Sequence, residues 1–140
     1  MNSIALEIIT PQRKAFSETV NAVFVPTANG RVGVLPRHIG LFTALTEGEV
    51  RIAYGGKDWY LAIGGGFMEV TKEKISILVS RAVHADEINE EELKKAEKDA
   101  RDIISQKGKT EERTVALASL RRSFLELKVL RHHKHRILPS

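Results

Sequence analysis

The chain has 140 residues, 42% of them hydrophobic and 29% charged, with a formal net charge of +4 and no cysteine. That length supports one domain with a real core, or a compact domain plus an appendage, and the composition excludes wholesale disorder. Without cysteine there is no disulfide, thiolate metal site or cysteine nucleophile, and no apolar run approaches the roughly 18 to 20 residues of a membrane span.

The first residues, "MNSIALEIITPQ", lack the charged head and apolar stretch of a signal peptide, so a soluble, cytoplasmic protein is expected. From Ile4 to Val83 the chain reads as short apolar runs: "IALEII", "VNAVFV", "GVL", "EVRIAY", "DWYLAI", "FMEV" and "ISILVS". Several alternate, as in Val50, Ile52, Tyr54 or Ile75, Ile77, Val79, and β-branched residues are frequent. Turn signals separate them at "TPQRK", "TANG", "TEG", "YGGKD" and "TKEK". Many short strands with regular punctuation predict an antiparallel sandwich or barrel over residues 1–86.

After "VHADEI" the period becomes helical. Asn89 is placed to cap a helix whose first turn, Glu90 to Glu92, sets negative charge at the positive end of the dipole, with Glu92 at the capping-box position. Leu93, Ala96, Ala100, Ile103 and Ile104 share one face, and Lys107 and Gly108 supply stop signals. Thr110 is placed to cap a second helix, with Leu117, Leu120, Phe124 and Leu127 as its apolar stripe. So short a link folds the two back as an antiparallel hairpin over residues 87–140.

Charge follows the same division. Residues 1–86 carry nine Lys+Arg against eight Asp+Glu, residues 87–112 carry six against nine, and residues 113–140 carry seven against one. Positive charge is a C-terminal property.

Candidate chemistry is sparse. "GRVG" at residues 30–33 and "GGG" at Gly64–Gly66 have neither Walker spacing nor G-x-G-x-x-G before a helix, so glycine here marks turns, bulges or close backbone approach. His38 follows Pro36 and has no Ser, Cys or paired carboxylate nearby to activate, which reads as a loop or interface histidine. The run His132 to His135 lacks the Cys or spaced acid that would complete a metal site, and reads as part of a solvated basic tail. The basic last segment admits a nucleic-acid-binding module as an alternative, although 6% aromatic content offers little stacking surface. A carbohydrate-binding sandwich would need exposed aromatics, which Trp59 and two tyrosines scarcely supply.

Two stretches together, "GRVGVLPRHIGLFTALTEGEVRI" and "LAIGGGFMEVTKEKISILVSRAVHADEI", followed by two helices, closely resemble the ε subunit of the bacterial F-type ATP synthase. That family shows G-E-x-G-x-x-P-x-H, an L-T-x-L run with a G-x-(V/I)-x-(I/V) strand, then G-G-F-x-E-V and I-x-(I/V)-L, and the match runs in order through essentially the whole chain. The resemblance implies a non-catalytic rotor subunit whose sandwich docks on the γ shaft and the polar loops of the c-ring, and whose helices pack on the sandwich or extend toward the α and β subunits and restrain ATP hydrolysis. It places the protein on the cytoplasmic side of a bacterial membrane, attached through the c-ring, with no nucleic acid among its partners. It puts Gly30, Arg31, Val32, Gly33, Pro36, Arg37 and His38 at the c-ring and shaft interface, and the basic residues Arg113, Arg121, Arg122 and Lys128 in regulatory contact with an acidic loop of β. Two motifs depart from the family pattern. Arg31 replaces the acid of G-E-x-G. The I/L-D-x-x-R-A of ATP-binding members is Ile88, Asn89, Glu90, Glu91, Glu92, Leu93 here, so no nucleotide or other cofactor is expected.

Overall fold

The computed structural model describes residues 3–106 and 110–137, and side chains as far as residue 134. Ten strands come first: β1 (Ile4–Ile9), β2 (Lys14–Val20), β3 (Ala22–Thr27), β4 (Gly30–Val34), β5 (Leu41–Leu45), β6 (Gly48–Tyr54), β7 (Lys57–Ile63), β8 (Gly66–Val70), β9 (Lys74–Val79) and β10 (Ala82–His84). A 3-10 turn, Ala85–Glu87, leads to helices α1 (Glu90–Ser105) and α2 (Thr110–Ile137). The strands form two five-stranded sheets, ordered β2-β1-β9-β8-β5 and β10-β7-β6-β3-β4, so the sandwich expected from the sequence is what the chain builds. Within it β1 and β9 run parallel, unlike every neighbouring pair around them. Strands β2, β5 and β10 were not legible as runs.

Alternation explains the core. In β1, Ile4, Leu6 and Ile8 are buried while Ala5, Glu7 and Ile9 are half-buried. The same period sends Val23 and Val25, Val50 and Ile52, Leu61 and Ile63, and Ile75 and Ile77 into one cluster between the sheets. Each such side chain contributes about 1.5–3 kcal/mol. The glycine step supplies close approach: a Cβ on Gly66 would run into the backbone of Leu78 and Val79.

Asn89 caps α1, its side-chain oxygen accepting from the Glu92 amide at 3.1 Å. The helix ends at Ser105, and the stop signals Lys107 and Gly108 lie outside the described residues. Thr110 is the first residue of α2 rather than its cap. Lys134 near the end of α2 reaches Glu90 at the start of α1 at 2.6 Å, so the helices are antiparallel. The stripe expected on α2 is only partly correct. Leu117 and Phe124 are each 47% exposed, whereas Ala116, Ser123, Val129 and Leu130 are buried. The reason is that α2 has two neighbours, α1 along its length and β7 with the 3-10 turn near its C-terminal half, and a helix buried on two sides has no single stripe.

Candidate functional site

The two outer faces of the sandwich differ. On the face formed by β10, β7, β6, β3 and β4, α2 packs over β7 and part of β6, where Val129 is fully buried with Ala62 and Ala85, and Tyr60, Ile88 and Leu125 pack around them. Charge pairs flank this contact. Arg81 meets Glu126, with side chains 27% and 15% exposed, and His132 donates through Nδ1 to the carboxylate of Glu49 at 2.6 Å. The His132 ring also lies 4.9 Å from the Tyr60 ring, centre to centre. Glu90 receives both Lys134 and Lys94, and the hydrogen bond from Lys134 does most to hold its carboxyl below the ordinary range.

The opposite face, formed by β2, β1, β9, β8 and β5, is open and apolar at one edge. Cross-strand pairing sets Ala44 beside Phe67, Phe67 beside Leu78, and Leu78 beside Ile9. Phe42 stacks on Phe67 at 5.6 Å between ring centres. Phe42, Phe67 and Leu78 are 67%, 52% and 52% exposed, and Phe67 and Leu78 border a shallow cleft of about 450 Å³ with Pro11 and Ile9. Exposed rings grouped in this way mark an interaction surface. Sequence reading missed it because apolar residues in a strand were assigned to the core; the signal was the alternation of Leu41, Thr43 and Leu45 against Phe42 and Ala44.

The seven residues expected at a rotor interface lie on one edge of the sandwich, but they do different things. Gly30 (φ +107°) opens edge strand β4. Val32 packs against the core, and Gly33 lies beneath the Phe24 ring, where a Cβ would collide with it. Arg31 turns back over the sheet, donating to the carbonyls of Glu49 at 2.8 Å and Phe24 at 3.2 Å. Pro36, Arg37 and His38 form the tip. The His38 amide bonds the Leu35 carbonyl at 3.1 Å, with Pro36 second and Arg37 third at φ 68°, the pattern of a type II turn that usually takes glycine at that place. Leu35 and Ile39 on either side are 55% and 81% exposed. The turn joins β4 of one sheet to β5 of the other, next to the strand that carries Phe42.

Arg113, Arg121, Arg122 and Lys128 are all exposed on α2. At 1.5 Å and about 100° per residue they spread over roughly 22 Å, with Arg113, Arg121 and Lys128 on one side and Arg122 turned away. They form a line of charge, not a pocket. His132 of the histidine run is engaged with Glu49, and His135 has no described side chain. Among the described residues no group of three His, Cys, Asp or Glu is placed to hold a metal ion, and no helix is long and apolar enough to cross a membrane.

Residues 3–85 match the family described as ATP synthase, Delta/Epsilon chain, beta-sandwich domain. The ATP synthase epsilon chain of Herpetosiphon aurantiacus is 39% identical over 133 residues, covering 95% of this chain and 98% of that one. That of a Roseiflexus species is 47% identical over 87 residues, 62% of this chain and 63% of that one. Among solved structures, a chain in the Euglena gracilis mitochondrial ATP synthase, OSCP/F1/c-ring in rotational state 1, superposes with a TM-score of 0.66 at 25% identity, covering 97% of this chain and 82% of that one. Sandwich, glycine step and seated hairpin thus agree with sequence similarity along nearly the full length, and the chain belongs to the family of ATP synthase delta/epsilon chains.

Proposed function

We propose that the chain is a non-catalytic central-stalk subunit of an F-type ATP synthase, transmitting rotation through surface packing. The observation that carries this reading is the open apolar face of Phe42, Phe67 and Leu78 beside the Pro36–His38 turn, on a sandwich whose other face already carries α2 over β7 and part of β6. Apolar rings flanked by a basic turn suit a helical shaft, here the γ subunit, with the turn reaching the polar loops of the c-ring on the cytoplasmic side of a bacterial membrane. The hairpin, residues 87–140, acts as a second unit beside the sandwich of residues 1–86. Its line of exposed arginines suits an acidic loop of the β subunits when the helices leave the sandwich toward the α and β head, restraining hydrolysis. The nucleic-acid alternative draws no support from α2, whose basic side chains have, among the described residues, no group of aromatic side chains beside them to stack on bases.

Replacing Phe67 by Asp, and separately Phe42 by Asp, tests the docking face. Both rings are at least half exposed, so circular dichroism should be unchanged, while retention on purified γ subunit should fall by about tenfold or more, as for a buried aromatic anchor. Undiminished retention by both variants would sink the assignment.

A further inference from the structure

Glu126, Val129 and His132 recur every third residue of α2, which keeps them on the side of the helix that meets the sandwich. Opposite them lie Arg81, the pair Ala62 and Ala85, and Glu49. Glu49, Ala62 and Val83 are partners in one cross-strand row, so the helix runs across the strands and meets a cation, an apolar floor and an anion in turn. It offers an acid, a valine and a histidine in the complementary order. Moving α2 by one turn would set Glu126 or His132 over the alanines, and reversing it would set Glu126 against Glu49.

The apolar part of this seat is small, and its buried residues form a cluster separate from the sandwich core. Its acids are withdrawn from water, Glu49 to 6% and Glu126 to 15% exposure, while Arg81 and His132 keep 27% and 43%. Burying such pairs costs about as much as their attraction returns. One Arg81 nitrogen, Nη2, is buried with no hydrogen-bond partner among the described residues, a cost set against the attraction of this pair. We propose that Arg81 and Glu49 form a polarity-coded seat that admits α2 in one register and releases it without disturbing the core beneath. Val129 supplies attraction, and the two pairs supply selection. The idea rests on the reading of the hairpin as a mobile unit, but it concerns the isolated chain and needs no partner subunit.

The natural chain has no cysteine, so single thiols report on it cleanly. Ala85→Cys places one beneath α2, Val25→Cys one in the sandwich core, and Lys57→Cys one in the open as a reference. Arg81→Glu and Glu126→Arg should each speed reaction of the Ala85→Cys thiol with an aromatic disulfide by about tenfold, by raising the open fraction of the seat. Combining the two should bring the rate back within about twofold of the parent, as restored complementarity requires. The Val25→Cys thiol should stay slow throughout. Single reversals that leave the Ala85→Cys rate unchanged, or a combination as fast as the singles, overturn the proposal. Should Arg81→Glu expose the Val25→Cys thiol, Glu126→Arg and Glu126→Gln alone carry the test, since neither alters the sandwich, and an unchanged rate in both overturns it equally. Loss of γ retention is read on a different face, so the rotor assignment and the seat fail separately.

Discussion

Arg13 and Glu87, 74 residues apart, meet through two parallel hydrogen bonds of 2.8 and 2.7 Å. Arg13 also donates to the Ala82 carbonyl at 2.8 Å, so the turn between β1 and β2 is fastened to the point where the sandwich hands over to the helices. The hydrogen bonds from Arg13 are the main reason that the Glu87 carboxyl is lowered from 4.5 to about 2. A depressed carboxylate stabilises the fold fully above its unfolded value and loses that contribution as pH falls through its folded value. The advantage of the natural chain over Glu87→Gln should therefore be complete at pH 7, shrink below about 4.5 and vanish near 2. Both side chains are more than a third exposed, so solvent keeps it modest. Thermal melts of the two proteins across that range check this, and a gap that persists undiminished at pH 2 would contradict it.

Gly66→Ala should be far more damaging than its single methyl implies. The new Cβ would meet the Leu78 carbonyl and the Val79 backbone, and rigid backbone cannot yield as a side-chain tip can. A loss of about 2–3 kcal/mol is expected from overpacking. Urea denaturation should show it; a change below about 0.5 kcal/mol would mean that β8 and β9 separate easily.

Arg37→Gly should do the opposite to stability. Arg37 sits at φ 68°, where a side chain costs about 1 kcal/mol that glycine avoids. The variant should melt higher, yet, if the turn meets the c-ring as proposed, weaken coupling between ion flow and ATP synthesis in membranes, because the charge at the tip is gone. Equal or lower melting would show that Arg37 makes a compensating contact.

A chain ending at Ala85 should keep the sandwich folded. The large core cluster contains no residue beyond Ala82, and the seat of α2 is a separate group on the outer face. Circular dichroism of that fragment should show β structure with cooperative melting. An unfolded fragment would mean that the helices hold the sheets together.

Charge reversal at Arg121 and Arg122 to Glu should raise ATP hydrolysis by the assembled complex without reducing assembly. High salt should mimic this in the natural protein, since screening weakens exposed pairs. Hydrolysis equally low in the reversed complex would count against the proposed charge contact and favour steric blockage by α2 instead.

Much of this was legible in the sequence, and the rest was hidden for physical reasons. The long β1, β6 and β9 announce themselves by alternation because one face of each turns to the core, whereas β7 reads as an unbroken apolar run because Leu61, Ala62 and Ile63 are buried on both faces. Strand β2 reads "KAFSETV" with only Val20 fully buried, since an edge strand has little apolar surface to show. Pairing of β1 with β9 has no local signature, because register between distant strands is set by the whole core. The Asn89 cap was legible since it solves a backbone problem within three residues, and the glycine step since three glycines in a row between strands signal close backbone approach wherever the neighbour lies. The seat of α2 was not: alanine at positions 62 and 85 signals nothing until a valine from 44 residues beyond Ala85 is laid on it.

The parallel bonding of β1 to β9 also fixes an order of events in time. Strand β2 can fold onto β1 as soon as it is made, but the other edge of β1 stays unpaired until nearly all of the sandwich has been synthesised. Until then Leu6 and Ile8, both fully buried at the end, have only half of their cover. Contacts this distant in sequence belong to the slow class of folding reactions and leave strand edges open to the wrong partner. On the ribosome this sheet can therefore close only after β9 has emerged, shortly before α1 and α2 follow.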